Sequence, residues 1–126
     1  MPKQALLIVD HGSKRMEAND MLKDVVAAIK QLVPEMPVHF AHMELCEPTI
    51  ADGFTRCVND GATEVIVHPY MLSPGRHATS DIPAMAADAA AVHPGVTFRV
   101  TKCLGVDRKI AELVLDRAGI DVSQHA

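Results

Sequence analysis

Apolar residues recur along this chain in two alternating rhythms. Four short runs rich in β-branched and aliphatic residues, at 5–9, 38–43, 64–68 and 96–101, read as buried strands. Their centres recur about every 30 residues, the size of a strand–crossover–strand unit. The intervening segments carry apolar residues at i, i+3, i+4 and i+7, the stripe of an amphipathic helix. The first stripe is Leu22, Val25, Val26, Ile29, Leu32 and Val33, and the second is Ile50, Ala51, Phe54, Cys57 and Val58. The third is Ile82, Met85, Ala86, Ala89 and Ala90, and the fourth is Ile110, Ala111, Val114, Leu115 and Ala118.

Punctuation agrees with this order. Pro48 and Pro83 stand at helix starts, Pro34 stops the first helix, and Gly61, Gly95 and Gly119 occupy turns or helix ends. The expected class is α/β: a three-layer, flavodoxin-like domain of order βαβαβαβα. Its four-stranded parallel sheet would carry helices on both faces, with strand order 2-1-3-4. One domain spans 1–120, and 121–126 reads as a frayed tail.

Composition narrows the function. Of 126 residues 48% are hydrophobic and only 3% aromatic, with no Trp. The core must therefore be aliphatic, and a base-stacking nucleic-acid surface is not expected. The net charge of −4 gives no general attraction to polyanions, so an anionic ligand needs a local basic patch. Cys46, Cys57 and Cys103 are widely spaced, with no C-x-x-C pair, so neither a disulfide framework nor a thiolate metal site is indicated. Free thiols and an N-terminal apolar run too short for a leader or a membrane span suggest a cytoplasmic protein. No G-x-G-x-x-G or Walker loop occurs, which argues against a nucleotide cofactor.

Ligands of open α/β sheets bind beyond the carboxyl ends of the strands. Strand one ends there in Asp10, His11, Gly12, Ser13, Lys14 and Arg15; strand two in His42, Met43 and Glu44. Strand three runs into Gly75, Arg76, His77 and Asp81, and strand four into Lys102. His11 alone reads as readily as a loop-capping histidine, and His77, in an unusually long loop, as a surface one. Together they can hold a divalent transition metal with open coordination positions. Glu44, or His42, could take protons. Four cations on the rim of an acidic chain suggest an anionic ligand.

With these residues in view, the sequence resembles the small, single-domain sirohydrochlorin cobaltochelatases and ferrochelatases. The likeness rests on LLIVDHGSKRMEAN at 6–19, AHMELCEPTI at 41–50, PYMLSPGRHATSDIP at 69–83 and LGVD at 104–107. The forms VDHGS, AHMEL and PGRH are most like plant ferrochelatases of this group. The resemblance implies ATP-independent insertion of Co²⁺ or Fe²⁺ (Ni²⁺ is a further candidate) into sirohydrochlorin, for cobalamin or sirohaem. It implies metal ligation by His11 and His77 and makes Glu44 an acid–base candidate. Ser13, Lys14, Arg15, Gly75, Arg76 and Lys102 become candidate substrate contacts. No tightly bound cofactor is implied, and a homodimer is. A non-catalytic metal or tetrapyrrole carrier would use the same pocket. A flavodoxin-like regulatory domain would want clustered acids for Mg²⁺, which two histidines fit poorly. No nucleic-acid or membrane partner is expected.

Overall fold

The computed structural model describes residues 2–125. The elements are β1 (Gln4–Asp10), α1 (Met16–Leu32), β2 (Val38–His42), α2 (Ile50–Asn59), β3 (Glu64–Pro69), a π-helical turn (His77–Asp81), α3 (Ile82–Ala91), β4 (Thr97–Val100) and α4 (Arg108–Ala118). Val122–His125 forms a short 3₁₀ turn, started by Ser123, whose N–H and hydroxyl both donate to the Asp121 carboxylate. The sheet is wholly parallel in the order β2-β1-β3-β4, the order expected from the sequence.

Side chains alternate across the sheet and so build two cores. Ala5, Leu7 and Val9 of β1, with Val65 and Val67 of β3, meet Ile50, Phe54 and Cys57 of α2 and Ile82, Ala86 and Ala89 of α3. On the opposite face Ile8 and Val38 meet Leu22 and Val26 of α1. Each fully buried Val, Leu, Ile or Phe side chain among these contributes about 1.5–3 kcal/mol, and the alanines less. Burial, with Asp60 nearby, pushes the Cys57 thiol up to about 12, so it serves as core filler rather than as a reactive thiolate.

The helix stripes need correction at particular positions. Leu32, at the last residue of α1, is 82% exposed, because the helix end has passed the sheet. Ala51 and Met85 also face outward, whereas Gly53 is buried. Gly53 lets α2 approach the sheet: a Cβ there would lie 2.6 Å from Leu7 Cδ1 and 3.1 Å from Ala41 Cβ. The starts of two helices also differ. Pro48 precedes α2, whose N-cap is Thr49 in a reciprocal capping box with Asp52. The N-cap of α1 is Arg15, whose side chain makes no capping hydrogen bond.

The largest departure is α4. None of its residues is buried, and among the described residues it makes no extensive contact with another strand or helix. The helix forms all the same because both ends are capped. Asp107 accepts from the Lys109 N–H, and Gly119 takes the left-handed conformation at φ 73°. Consequently, among the described residues, α1, lying over β1 and β2, is the one helix with extensive contacts on its face of the sheet.

Two outcomes test this description. Gly53→Ala should lower unfolding free energy by about 1–3 kcal/mol through overpacking, measured by urea titration; an unchanged midpoint would contradict the close approach. His68, half-buried beside Thr101, is held below its ordinary value of 6.5 because burial disfavours the charged ring. The unfolded chain therefore binds this proton first as pH falls below 6.5. Its contribution to stability is complete above that value and is lost as pH falls towards the folded one. The urea midpoint should drop between about pH 7.5 and pH 5.5, and by less in His68→Gln; equal drops would count against it.

Candidate functional site

The site grows from β1 and β2 as they leave the sheet. Asp10 pairs with His42 in the last rung of the ladder, but the backbone pairing continues beyond it. The Met43 N–H donates to the Asp10 carbonyl at 2.9 Å, and the Glu44 N–H to the His11 carbonyl at 3.1 Å. The following loop closes on itself, since the His42 N–H donates to the Pro48 carbonyl at 2.8 Å. Within it Leu45 has a positive φ of 70°, a strained conformation for a non-glycine residue. These contacts leave no room at position 12. Gly12 has φ 94°, and a Cβ there would collide with the Glu44 carbonyl oxygen.

His11 and Glu44 therefore project side by side, with Nε2 and Oε1 3.0 Å apart and both side chains about half exposed. Neighbouring ligands of one ion, each bonded at about 2.1 Å, stand roughly 3.0–3.4 Å apart. The two side chains can thus share a cation without rearrangement.

His77 arrives from the other side. It does not sit in a loop, as its Pro/Gly surroundings suggested, but opens the π-helical turn that leads into α3. The Ile82 N–H donates to the His77 carbonyl, the i→i+5 bond that defines such a turn. His77 Nδ1 donates to Asp81 Oδ2 at 2.9 Å, which leaves Nε2 as the nitrogen with a free lone pair. The His11 and His77 rings meet with centroids 4.5 Å apart and planes inclined at 38°. Among the described residues no group of three or more His, Cys, Asp or Glu side chains is placed to hold a metal ion. The pair is open to solvent.

A second pair lies beneath. His42 is 1% exposed, and its Nδ1 donates to Asp10 Oδ1 at 2.6 Å. That burial separates the two candidate proton acceptors: Glu44 is about half exposed, whereas His42 is enclosed and lies edge-on to Phe40.

The remaining candidates share the rim unevenly. Ser13 is a scaffold residue: its N–H donates to Asn19 Oδ1, its carbonyl accepts from Asn19 Nδ2, and its hydroxyl accepts from the Arg15 N–H. Lys14, Arg15, Arg76 and Lys102 are all exposed, and the ion pairs of the described residues involve other cations. Gly75 has open space around it, so the chain's own packing does not demand glycine there. Lys102 borders a hollow of about 670 Å³ with walls from Pro74, Ala78, Pro83, Val100 and Leu104. The hollow adjoins the turn that begins with His77.

Sequence reasoning missed three partners: Asp81 for His77, Asp10 for His42, and Asn19 for Ser13. The H-x-x-x-D spacing at 77–81 was the one local signal available, since i and i+4 share a helix face. Three further histidines are engaged outside the site, His68 with Thr101 as described above. His39 contacts Asp60, and the His93 ring bonds Thr55.

The sequence model of the CbiX family matches residues 5–120. The chain belongs to the CbiX family. It is 45% identical over 112 residues to the chloroplastic sirohydrochlorin ferrochelatase of Arabidopsis thaliana, covering 89% of this chain and 50% of that protein. It is 31% identical to the sirohydrochlorin cobaltochelatase of Methanococcus maripaludis, covering 91% and 97% of the two chains. The crystal structure of the sirohydrochlorin chelatase SirB from Bacillus subtilis subspecies spizizenii, in complex with cobalt, superposes with a TM-score of 0.84 at 36% identity. That match covers 93% of this chain and 50% of the Bacillus chain. The chain thus spans about half the length of the Arabidopsis and Bacillus proteins, and nearly all of the Methanococcus one. No helix among the described residues is long and apolar enough to cross a membrane.

The geometry makes position 12 a test of the site. Gly12→Ala should push the Glu44 loop away from His11, costing about 2 kcal/mol or more in stability. It should also weaken Co²⁺ binding, followed by calorimetry. Wild-type affinity together with wild-type stability would refute the close approach.

Proposed function

We propose that this member of the CbiX family inserts Co²⁺ or Fe²⁺ into sirohydrochlorin without nucleotide hydrolysis. The observation that carries the reading is the meeting of two imidazoles from β1 and the π turn, with Glu44 beside the first. The named activities of the Arabidopsis and Methanococcus relatives support it.

Insertion places one M²⁺ among four pyrrolic nitrogens and releases two protons. His11 and His77 Nε2 hold the incoming ion on one face of the macrocycle. Asp81 fixes the His77 tautomer so that the lone pair faces the ion. Two protein nitrogens leave coordination positions free, and transfer to the ring needs them. Glu44 takes the pyrrolic protons one at a time and passes each to solvent, which its exposure allows. His42, buried and bonded to Asp10, is shut off from the ring and holds the end of β1 rather than receiving protons. Lys14, Arg15, Arg76 and Lys102 pair with the peripheral carboxylates of the substrate, in an otherwise acidic protein. The apolar hollow beside Lys102 takes an edge of the ring.

Two copies form the working unit, the second standing where the longer relatives have their additional length. Its three free thiols suit a reducing compartment such as the cytoplasm.

The test is a spectroscopic metallation assay of sirohydrochlorin with Co²⁺, Fe²⁺ and Ni²⁺ in turn. His11→Ala and His77→Ala should each slow insertion roughly a hundredfold or more while the circular-dichroism melt stays unchanged, because both rings are half exposed. Full activity in both variants would overturn the assignment of the ligands. Stoichiometric binding without turnover by the wild type would make the protein a carrier.

A further inference from the structure

We infer that Leu45 bends the substrate: its side chain presses on the macrocycle beside Glu44 and holds the ring out of plane while the metal enters. The inference rests on the chelatase reading above and adds a residue to it.

The first observation is backbone strain that the folded domain does not use. Leu45 has φ 70°, in the left-handed region where a Cβ crowds the following carbonyl and which glycine occupies freely. Among the described residues it is the one non-glycine residue with a positive φ. The turn itself is imposed by its surroundings. The Glu44 N–H donates to the His11 carbonyl on one side, and the His42 N–H to the Pro48 carbonyl closes the loop on the other. Glycine would make that turn at lower cost, so whatever calls for leucine must act through its side chain. The side chain is 57% exposed and belongs to neither apolar core. Strain of this kind, unrelieved by packing, marks a functional position.

The second observation is where the leucine stands. It follows Glu44, whose Oε1 lies 3.0 Å from His11 Nε2. Consecutive Cα atoms are about 3.8 Å apart, so Leu45 lies within reach of a ring that Glu44 touches. In the sheet order the β2 and β3 loops flank the His11 loop, and Leu72 of the β3 loop is also exposed. Exposed aliphatic side chains on both sides of a polar centre suit a ligand with apolar faces and a charged edge. The two leucines differ in their backbone. Leu72 offers contact alone, whereas Leu45 sits on a turn pinned by hydrogen bonds on both sides, which resists a load.

The chemistry calls for such a load. A planar macrocycle aims its nitrogen lone pairs at its own centre, away from an ion held above it. Bending turns those lone pairs towards the ion on His11 and His77, and binding energy from the ring's periphery goes into the distortion. Leu45 exchanges no atom. Two N–H bonds break, their protons go to Glu44 and then to solvent, and the ring nitrogens bond the ion.

The experiment follows metallation of sirohydrochlorin by the wild type, Leu45→Ala, Leu45→Gly and Leu45→Met. Leu32→Ala, at the far end of α1, is the control. Resonance Raman spectra of the bound metal-free ring, Co²⁺ calorimetry, sedimentation and melts accompany the rates. The wild type should show out-of-plane ring bands that free sirohydrochlorin lacks. Leu45→Ala and Leu45→Gly should weaken those bands and lower kcat roughly tenfold or more, with KM for the ring unchanged or lower. Their Co²⁺ affinity should equal that of the wild type. The melting temperature should stay within about 2 °C in Leu45→Ala and should not fall in Leu45→Gly, which relieves the turn. Leu45→Met, close in volume, should restore kcat to within about threefold. Leu32→Ala should match the wild type throughout.

Full kcat with an unchanged ring spectrum in Leu45→Ala and Leu45→Gly overturns the proposal. So does a fall in kcat matched by lost Co²⁺ affinity or a lower melt, which would make the leucine a structural part of the loop. A change in sedimentation alone would place it between copies and overturns the proposal too. A wild type that binds and bends the ring without turnover counts against the chelatase reading and leaves this contact standing. Turnover that is indifferent to Leu45 does the reverse.

Discussion

Everything at the rim depends on two backbone hydrogen bonds that continue the β1–β2 ladder past the end of the sheet. They run from Met43 to Asp10 and from Glu44 to His11, and they hold two loops from distant parts of the chain in register. Parallel strands align their carboxyl ends by construction, so the residues that follow each strand arrive together. Here the alignment extends one step further, until Gly12 touches the opposing backbone and no side chain fits between. The His11–Glu44 pair is a consequence of that contact.

The rest of the site is arranged in depth. At the surface lie two imidazoles and a carboxylate, half exposed and able to exchange a cation. Behind them stand carboxylates that orient rather than receive: Asp81 on His77 and Asp10 on His42. A histidine whose one nitrogen is committed to a carboxylate presents the other in a fixed direction, and the cost of orienting it is met before the metal arrives. An ion passed onward must be held by few donors. On the function proposed above, the ion is a substrate that these exposed donors release to the ring.

The sheet face tells a different story from the site. One face is sealed by α2 and α3 around Phe54 and Ile82, each fully buried, while the other is closed only over β1 and β2. A domain this small has little surplus burial, so the uncovered half-face and the unpacked amphipathic helix leave a sizeable share of its apolar surface in water. His68, on the side of β3 away from α2 and α3, is still buried enough by its neighbours to resist protonation, with Thr101 as its hydrogen-bond partner.

The alternation of strand and helix, the parallel class, the strand order and the rim that gathers His11, Glu44 and His77 were legible in the chain itself. Each depends on local periodicity or on the general rule for strand ends. The π turn at His77 was not legible, because Pro74 and Gly75 look like loop residues whether or not a helix begins just after them. Nor was the role of Ser13, whose hydrogen bonds are settled by a buried Asn19 on the next helix. The stripe of α4 was read correctly as amphipathic, but periodicity says only that a face is apolar and not what lies against it. Tertiary structure alone decided which apolar faces found partners and which ring nitrogens were committed, because both depend on contacts between segments far apart in the chain.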